Sequence, residues 1–190
     1  MDTTLKIMKD CGAFLEGHFL LSSGRHSSSY CQCAKLMRLP ELAEEVLSPV
    51  AQRLKEFGFT KVCGPAMGGI TVSYELARQL GSESIFTERI DGVVQLRRGF
   101  TAGPHDIVLI AEDVITTGKS TLETLHVLES FGARVLALAC IVDRRPENLE
   151  FPLPVYSAIK LDIKTYDAGE CPLCEEALLP LEKPGSRKEL

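Results

Sequence analysis

No stretch of the chain approaches the roughly 18 consecutive apolar residues that a membrane-crossing helix requires. The opening Met1-Asp2-Thr3-Thr4-Leu5-Lys6 also lacks the basic-then-apolar order of a secretory signal. The expectation is a cytoplasmic protein with no membrane partner. A basic excess is missing too: 21 Lys plus Arg stand against 26 Asp plus Glu, a formal charge of -5. That balance gives no broad positive field of the kind that gathers a nucleic-acid backbone, so any phosphate ligand must be held locally. There is no internal repeat. Seven cysteines, an odd number scattered along the chain, do not make a disulfide framework and suit a reducing compartment. The closing Arg187-Lys188-Glu189-Leu190 has a chance likeness to a retention tetrapeptide, an address that needs an entry signal to be read.

What is present fits an ordinary globular domain. The 190 residues are 45% hydrophobic and 25% charged, and a single domain spanning 1–190 has room for a real core. From about Lys61 onward a short apolar run, a Gly-containing turn and a helix-like stretch alternate, which is the rhythm of parallel βαβ units. The strands fall at Lys61-Val62-Cys63, Ser84-Ile85-Phe86, Ile107 to Ala111 and Val135 to Val142. The last two are almost wholly apolar, as strands covered on both faces must be. Leu42, Val46, Val50, Leu54 and Phe57 recur at helical spacing, with Pro49 as a kink or late start and Gly58 as the stop. Two further helices are expected over Ile70 to Leu80 before Gly81 and over Ser120 to Phe131 before Gly132. Glu88 to Pro104, with three glycines and three arginines, reads as a loop or hairpin. The tail from Asp167 reads as irregular.

The most informative segment is Glu112-Asp113-Val114-Ile115-Thr116-Thr117-Gly118-Lys119-Ser120-Thr121. It joins a buried strand to a helix, so unpaired amides and the positive end of the helix dipole face outward together and suit a phosphate monoester. Thr116, Thr117, Ser120 and Thr121 add hydroxyl donors, and Gly118 permits a tight backbone. Helix capping alone accounts for a generic Thr-Thr-Gly turn. It does not account for two adjacent carboxylates at a strand end, where ligands of open α/β sheets bind. Those acids repel a phosphate but would accept hydrogen bonds from two sugar hydroxyls, directly or through Mg²⁺. A Walker loop is excluded, because Asp113 stands five residues before Gly118 where that loop has glycine.

This acidic-acidic, then Thr/Gly/Ser order resembles the donor-binding signature of type I phosphoribosyltransferases, and its Glu-Asp-Val-Ile-Thr-Thr-Gly form is similar to that of the orotate phosphoribosyltransferase family. The resemblance runs from about Phe14 to Arg187. It implies an α/β fold with a mostly parallel central sheet flanked by helices, and a small hood over the base site built from about residues 1–40 and the C-terminal tail. It implies transfer of ribose 5-phosphate from 5-phosphoribosyl 1-diphosphate to orotate, yielding orotidine 5′-monophosphate and diphosphate on the route to UMP, by a homodimer using Mg²⁺. On this resemblance Glu112 and Asp113 are the catalytic pair. The donor is held by these two with Val114, Ile115, Thr116, Thr117, Gly118, Lys119, Ser120 and Arg89. Orotate is held by Thr116 and Arg144, and Mg²⁺ mainly by the donor's diphosphate rather than by a direct protein ligand. A guanidinium fork suits the carboxylate that distinguishes orotate from purines and uracil.

Three further stretches enter through the same likeness. His18 to Tyr30 resembles the base-binding stretch, with Ser22 where several members have lysine. Gly64-Pro65-Ala66-Met67-Gly68-Gly69-Ile70 fits a diphosphate loop, though its glycines could serve helix–sheet packing alone. The 88–100 region carries Arg89, Arg97 and Arg98 in place of the family's Lys- and His-bearing loop, and which arginine meets diphosphate stays open. Transfer to another base, or a non-catalytic regulator of the same fold, are the competing readings. In the tail, Cys171-Pro172-Leu173-Cys174 is half a zinc site that Cys31 and Cys33 could complete, with four reduced, unliganded cysteines as the simpler expectation. The Lys183 to Arg187 ending also occurs in some members of the family.

Overall fold

A computed structural model describes residues 2–21, 23–176 and 178–184. Ser22 and residues 185–190, with the family-like ending and the closing tetrapeptide, lie outside them. The chain divides into two compact units, Met37–Leu161 and a second made of Met1–Leu36 with Asp162–Leu190. Among the described residues no helix is long and apolar enough to cross a membrane.

The larger unit is a six-stranded sheet in the order β5-β4-β3-β6-β7-β8. Its strands are β3 (Lys61–Pro65), β4 (Glu83–Ile90), β5 (Val93–Leu96), β6 (Ile107–Ile115), β7 (Arg134–Asp143) and β8 (Val155–Lys160). All neighbours are parallel except β4 and β5. That pair forms a hairpin over Asp91 and Gly92, both at positive φ, the geometry a two-residue hairpin turn needs. Helix α3 (Pro40–Leu54) starts on a proline and carries Pro49 within it, and its 3₁₀ extension ends at Gly58 in the left-handed region. The sequence places the stop correctly, and the proline neither ends nor delays the helix. Helices α4 (Gly68–Leu80) and α5 (Lys119–Ser130) begin within two residues of their expected starts.

Alternation along the strands divides the core between two layers. Cys63, Ile85, Val108, Ile110, Leu138 and Cys140 pack with Leu125 and Leu128 of α5, while α3 and α4 pack together over the other face. Each such buried side chain contributes about 1.5–3 kcal/mol, so the strand ends are held on a stiff platform. The order also creates a switch point: the chain leaves β3 toward β4 on one side, and β6 lies on the other. In sheets of this kind the crevice beyond the carboxyl ends at the switch point takes the ligand.

The smaller unit holds α1 (Thr3–Asp10), β1 (Phe14–Leu20), β2 (His26–Cys31) and the start of α2 (Ala34–Met37), followed from the other end of the chain by β9 (Thr165–Tyr166), α6 (Pro172–Glu176) and β10 (Leu181–Glu182). Its sheet runs β10-β1-β2-β9. Asp2 caps α1 by accepting from the Thr4 and Leu5 amides at 2.8 and 3.3 Å. The tail from Asp167, expected to be irregular, supplies α6 and the short strand β10, which pairs with β1, and β9 just before it pairs with β2. No local pattern announces two-residue strands, because the partner strands supply the order.

Candidate active site

The strand before the key segment does not stop at Ala111. It runs on through Ile115, with Val114 opposite Val142 and Ile115 opposite Asp143 in β7. Val114 and Ile115 thus belong to the sheet, and the Ile115 side chain is 1% exposed in the core. Glu112 and Asp113 sit on this terminal part of the strand, both half-buried. Asp113 Oδ1 accepts from the Val114 amide at 2.8 Å. Glu112 Oε2 is sealed from solvent and has no hydrogen-bond partner. Burial, with the neighbouring Asp113 charge as the second cause, pushes the Glu112 carboxyl from its ordinary 4.5 up to about 8. Burial raises Asp113 as well. Ionising both acids in one poorly solvated place is a cost that a ligand with hydroxyls or positive charge removes.

Two helices begin just beyond the carboxyl ends of β6 and its neighbour β3. Gly118 precedes α5 at φ 70°, and no side chain caps the helix. A Cβ on Gly118 would lie 1.9 Å from Phe151 Cζ, so both its backbone angle and its neighbour demand glycine. Thr116, Thr117 and Lys119 are exposed and Ser120 is half-buried, around a turn whose first amides are available to an anion. Thr121, expected among the hydroxyl donors, is 2% exposed and lies inside. On the other side, α4 also starts without a side-chain cap, just after a cis peptide between Ala66 and Met67. A Cβ on Gly68 would be 2.4 Å from the Asp113 carboxyl carbon, and one on Gly69 would be 2.7 Å from Glu112 Oε2. The glycines of this loop serve close packing, the second of the two sequence alternatives. Gly68 and Gly69 admit the acids, whereas Gly64, whose Cβ would be 2.1 Å from the Gly69 carbonyl oxygen, serves strand–helix packing.

The arginines sort themselves by partner. Arg144 follows β7, and its amide donates to Ile115 O at 2.8 Å, which sets it next to Thr116. Arg145 donates from Nε and Nη2 to the Asp143 carboxylate at 2.9 and 2.8 Å. Burial alone would raise the Asp143 carboxyl, but the hydrogen bonds from Arg145 outweigh it and hold it below its ordinary value. Arg144 Nε is buried and has no partner. Of two adjacent arginines one is thus held by the Asp143 carboxylate and the other keeps a buried Nε without a partner, which sequence alone does not decide.

In the hairpin, Arg89 donates to Gly92 O at 2.6 Å and pairs with Glu123 of α5. Arg98 makes a two-point pair with Glu88 at 2.8 Å. Arg97 is exposed and joins no ion pair among the described residues. Exposed pairs are worth at most about 1 kcal/mol, so the tie on Arg89 does not keep it from a stronger anion. Outside this unit, the group that forms around Cys171 and Cys174 contains His18 and His26, and neither Cys31 nor Cys33. Sequence reasoning missed those histidines. The only signal was their position eight residues apart in the hairpin.

Comparison with known proteins agrees with this geometry. The family described as phosphoribosyl transferase domain matches residues 35–164. A curated orotate phosphoribosyltransferase of Caldicellulosiruptor bescii is 48% identical over 188 residues, 99% of this chain and 98% of that protein. The crystal structure of orotate phosphoribosyltransferase from Aeropyrum pernix superposes with a TM-score of 0.68 at 28% identity, covering 82% of this chain and 92% of that one. Adenine phosphoribosyltransferase from Rhodothermus marinus, at 21% identity and a TM-score of 0.63, covers 84% of this chain and 99% of that one, a likeness of fold. An acid pair on the strand that leads into an uncapped helix is the strand-to-helix setting read from the sequence. The chain belongs to the phosphoribosyltransferase family and, within it, to the orotate phosphoribosyltransferases.

Proposed function

We propose that the protein transfers ribose 5-phosphate from 5-phosphoribosyl 1-diphosphate to orotate, forming orotidine 5′-monophosphate and diphosphate in pyrimidine nucleotide synthesis. The observation that carries the reading is Glu112 Oε2, buried without a partner beside a second acid and against the uncapped start of α4. The α5 turn from Thr116 to Ser120 takes the 5-phosphate, and Glu112 and Asp113 accept hydrogen bonds from the two ribose hydroxyls. The uncapped start of α4 at Gly68 and Gly69, with Arg89, faces the diphosphate. Arg144 and Thr116 hold the orotate carboxylate and ring edge, leaving a ring nitrogen free to attack C1 of the ribose.

Charge management carries the chemistry. As the C1–O bond lengthens, positive charge grows on the ribose ring beside the two acids, and negative charge grows on the leaving diphosphate near the amides and guanidinium. No protein nucleophile is needed. A half-buried carboxylate pair with an unsatisfied oxygen is a donor set that suits a hard divalent cation. Glu112 and Asp113 would hold Mg²⁺ through the ribose hydroxyls, with the donor's diphosphate as its main ligand. Bound there, Mg²⁺ supplies charge neutralisation for the departing diphosphate. A cytoplasmic homodimer belongs to the same reading, on the strength of the family.

The test is diphosphate release measured with orotate, uracil, adenine and hypoxanthine as acceptors. Turnover is expected with orotate alone, and Arg144→Gln is expected to raise the orotate KM at least about tenfold, the loss of a charged hydrogen bond, with the donor KM unchanged. Preference for another base, or donor binding without turnover, would sink the reading.

A further inference from the structure

We propose that His18, His26, Cys171 and Cys174 form a structural zinc site that fastens the C-terminal tail to the β1–β2 hairpin. The four ligand atoms all lie within 4.8 Å of one another. His18 Nε2 is 3.0 Å from His26 Nδ1 and 3.6 Å from each of the Cys171 and Cys174 sulfurs, and the Cys174 sulfur is 3.2 Å from His26 Nδ1. Around tetrahedral zinc, bonds of about 2.0–2.1 Å to nitrogen and 2.3 Å to sulfur put neighbouring ligand atoms about 3.3–3.8 Å apart. Four of the six separations lie at 3.0–3.6 Å and all six within 4.8 Å, so one ion reaches all four atoms after side-chain movements of at most about an ångström.

Three independent features point the same way. His18 Nδ1 faces Leu179 O at 3.4 Å. A proton on Nδ1 donated to that carbonyl leaves the Nε2 lone pair aimed at the cluster, which is the usual outer support of a metal-bound histidine. His18, His26 and Cys171 are 4%, 5% and 1% exposed, while Cys174 lies at the surface. Three ligands are thereby fixed in the interior, and the fourth opens the way in. The strand pairings converge here as well: β10 joins β1 at His18, and β9 joins β2 at His26. Two thiolates balance the charge of a divalent ion, and a mixed sulfur and imidazole tetrahedron favours zinc over hard cations. Among the described residues this unit buries only seven apolar side chains, Cys171 included. A small core of that kind is commonly reinforced by a metal.

The test uses the full chain purified without chelator. Elemental analysis should find about one zinc per chain, as a closed four-ligand site requires. Cys171→Ser with Cys174→Ser should lose the metal, whereas Cys11→Ser keeps it. Protein stripped of zinc should melt at a lower temperature and recover on adding Zn²⁺. Reconstitution with Co²⁺ should give the intense visible bands of a tetrahedral thiolate site. Absence of zinc together with no uptake at micromolar free Zn²⁺ would overturn the proposal. So would zinc retained by the double variant, or a Cys171–Cys174 disulfide in the freshly isolated protein. The wild-type metal content decides the matter even if the variants fail to fold, and it is independent of transferase activity.

Discussion

At the N-terminal ends of β3 and β6, Lys61 Nζ donates to Asp106 at 3.0 Å, and Asp106 also accepts from Thr60 Oγ1 at 3.1 Å and from the Gly103 amide at 2.9 Å. At the C-terminal ends of the same strands, Glu112 Oε2 has no partner, and Asp113 is its like-charged neighbour. Burial acts on the carboxylates at both ends. For Asp106 the hydrogen bonds from Lys61 and Thr60 outweigh it and lower the pKa, whereas for Glu112 nothing outweighs it and the pKa rises. One end of the sheet is complete without a ligand, and the other is arranged for charge that is not part of the protein. A pair of buried acids tolerated at a cost to stability marks a site more firmly than any count of conserved-looking glycines.

The contrast breaks most visibly on replacing both acids. Glu112→Gln with Asp113→Asn should lower kcat/KM for the donor on the order of a thousandfold, through lost positioning and charge stabilisation, with no fall in melting temperature. Near-normal rates would refute the roles given to the pair. Lys61→Met is the mirror experiment at the other end. It should destabilise the fold by about 2 kcal/mol, the worth of a charged hydrogen bond left unmade, and leave both KM values unchanged in urea-titrated and steady-state measurements. The most gradual effect is in pH. Between 4.5 and about 8 the folded protein keeps a proton on Glu112 that the unfolded chain has released. Stability of the unliganded protein should therefore fall as pH rises through that window, by at most about 1.4 kcal/mol per pH unit. Below 4.5 the penalty is absent, and above about 8 it is fully present. Glu112→Gln should flatten the profile, and a slope unchanged in that variant would assign the effect elsewhere.

How much of this was readable beforehand follows from how far apart the participating residues lie. The acid pair, the Thr-rich turn, Gly118 and the helix that follows occupy ten consecutive positions. Their strand-to-helix setting therefore shows in local patterning, although the strand's extension through Ile115 does not. The β1–β2 hairpin was hidden, since His26-Ser27-Ser28-Ser29 has the composition of a loop and becomes a strand only because β1 and β9 flank it. The cysteine pattern misled for a related reason. Cys31 and Cys33 look like partners for Cys171 and Cys174 by residue type, yet the sheet brings His18 and His26 there instead.

Local order along the chain thus determined the α/β class, the main helices and the donor-site signature, because periodicity and turn chemistry act over a few residues. Tertiary structure alone decided that β3 and β6 become neighbours with the start of α4 against the acid pair, and that Asp143 takes Arg145 and leaves Arg144 Nε without a partner. It alone assembled the histidine and cysteine group, whose His18 and Cys171 are 153 positions apart. Contacts of that reach depend on the packing of whole elements, which no short window of sequence contains.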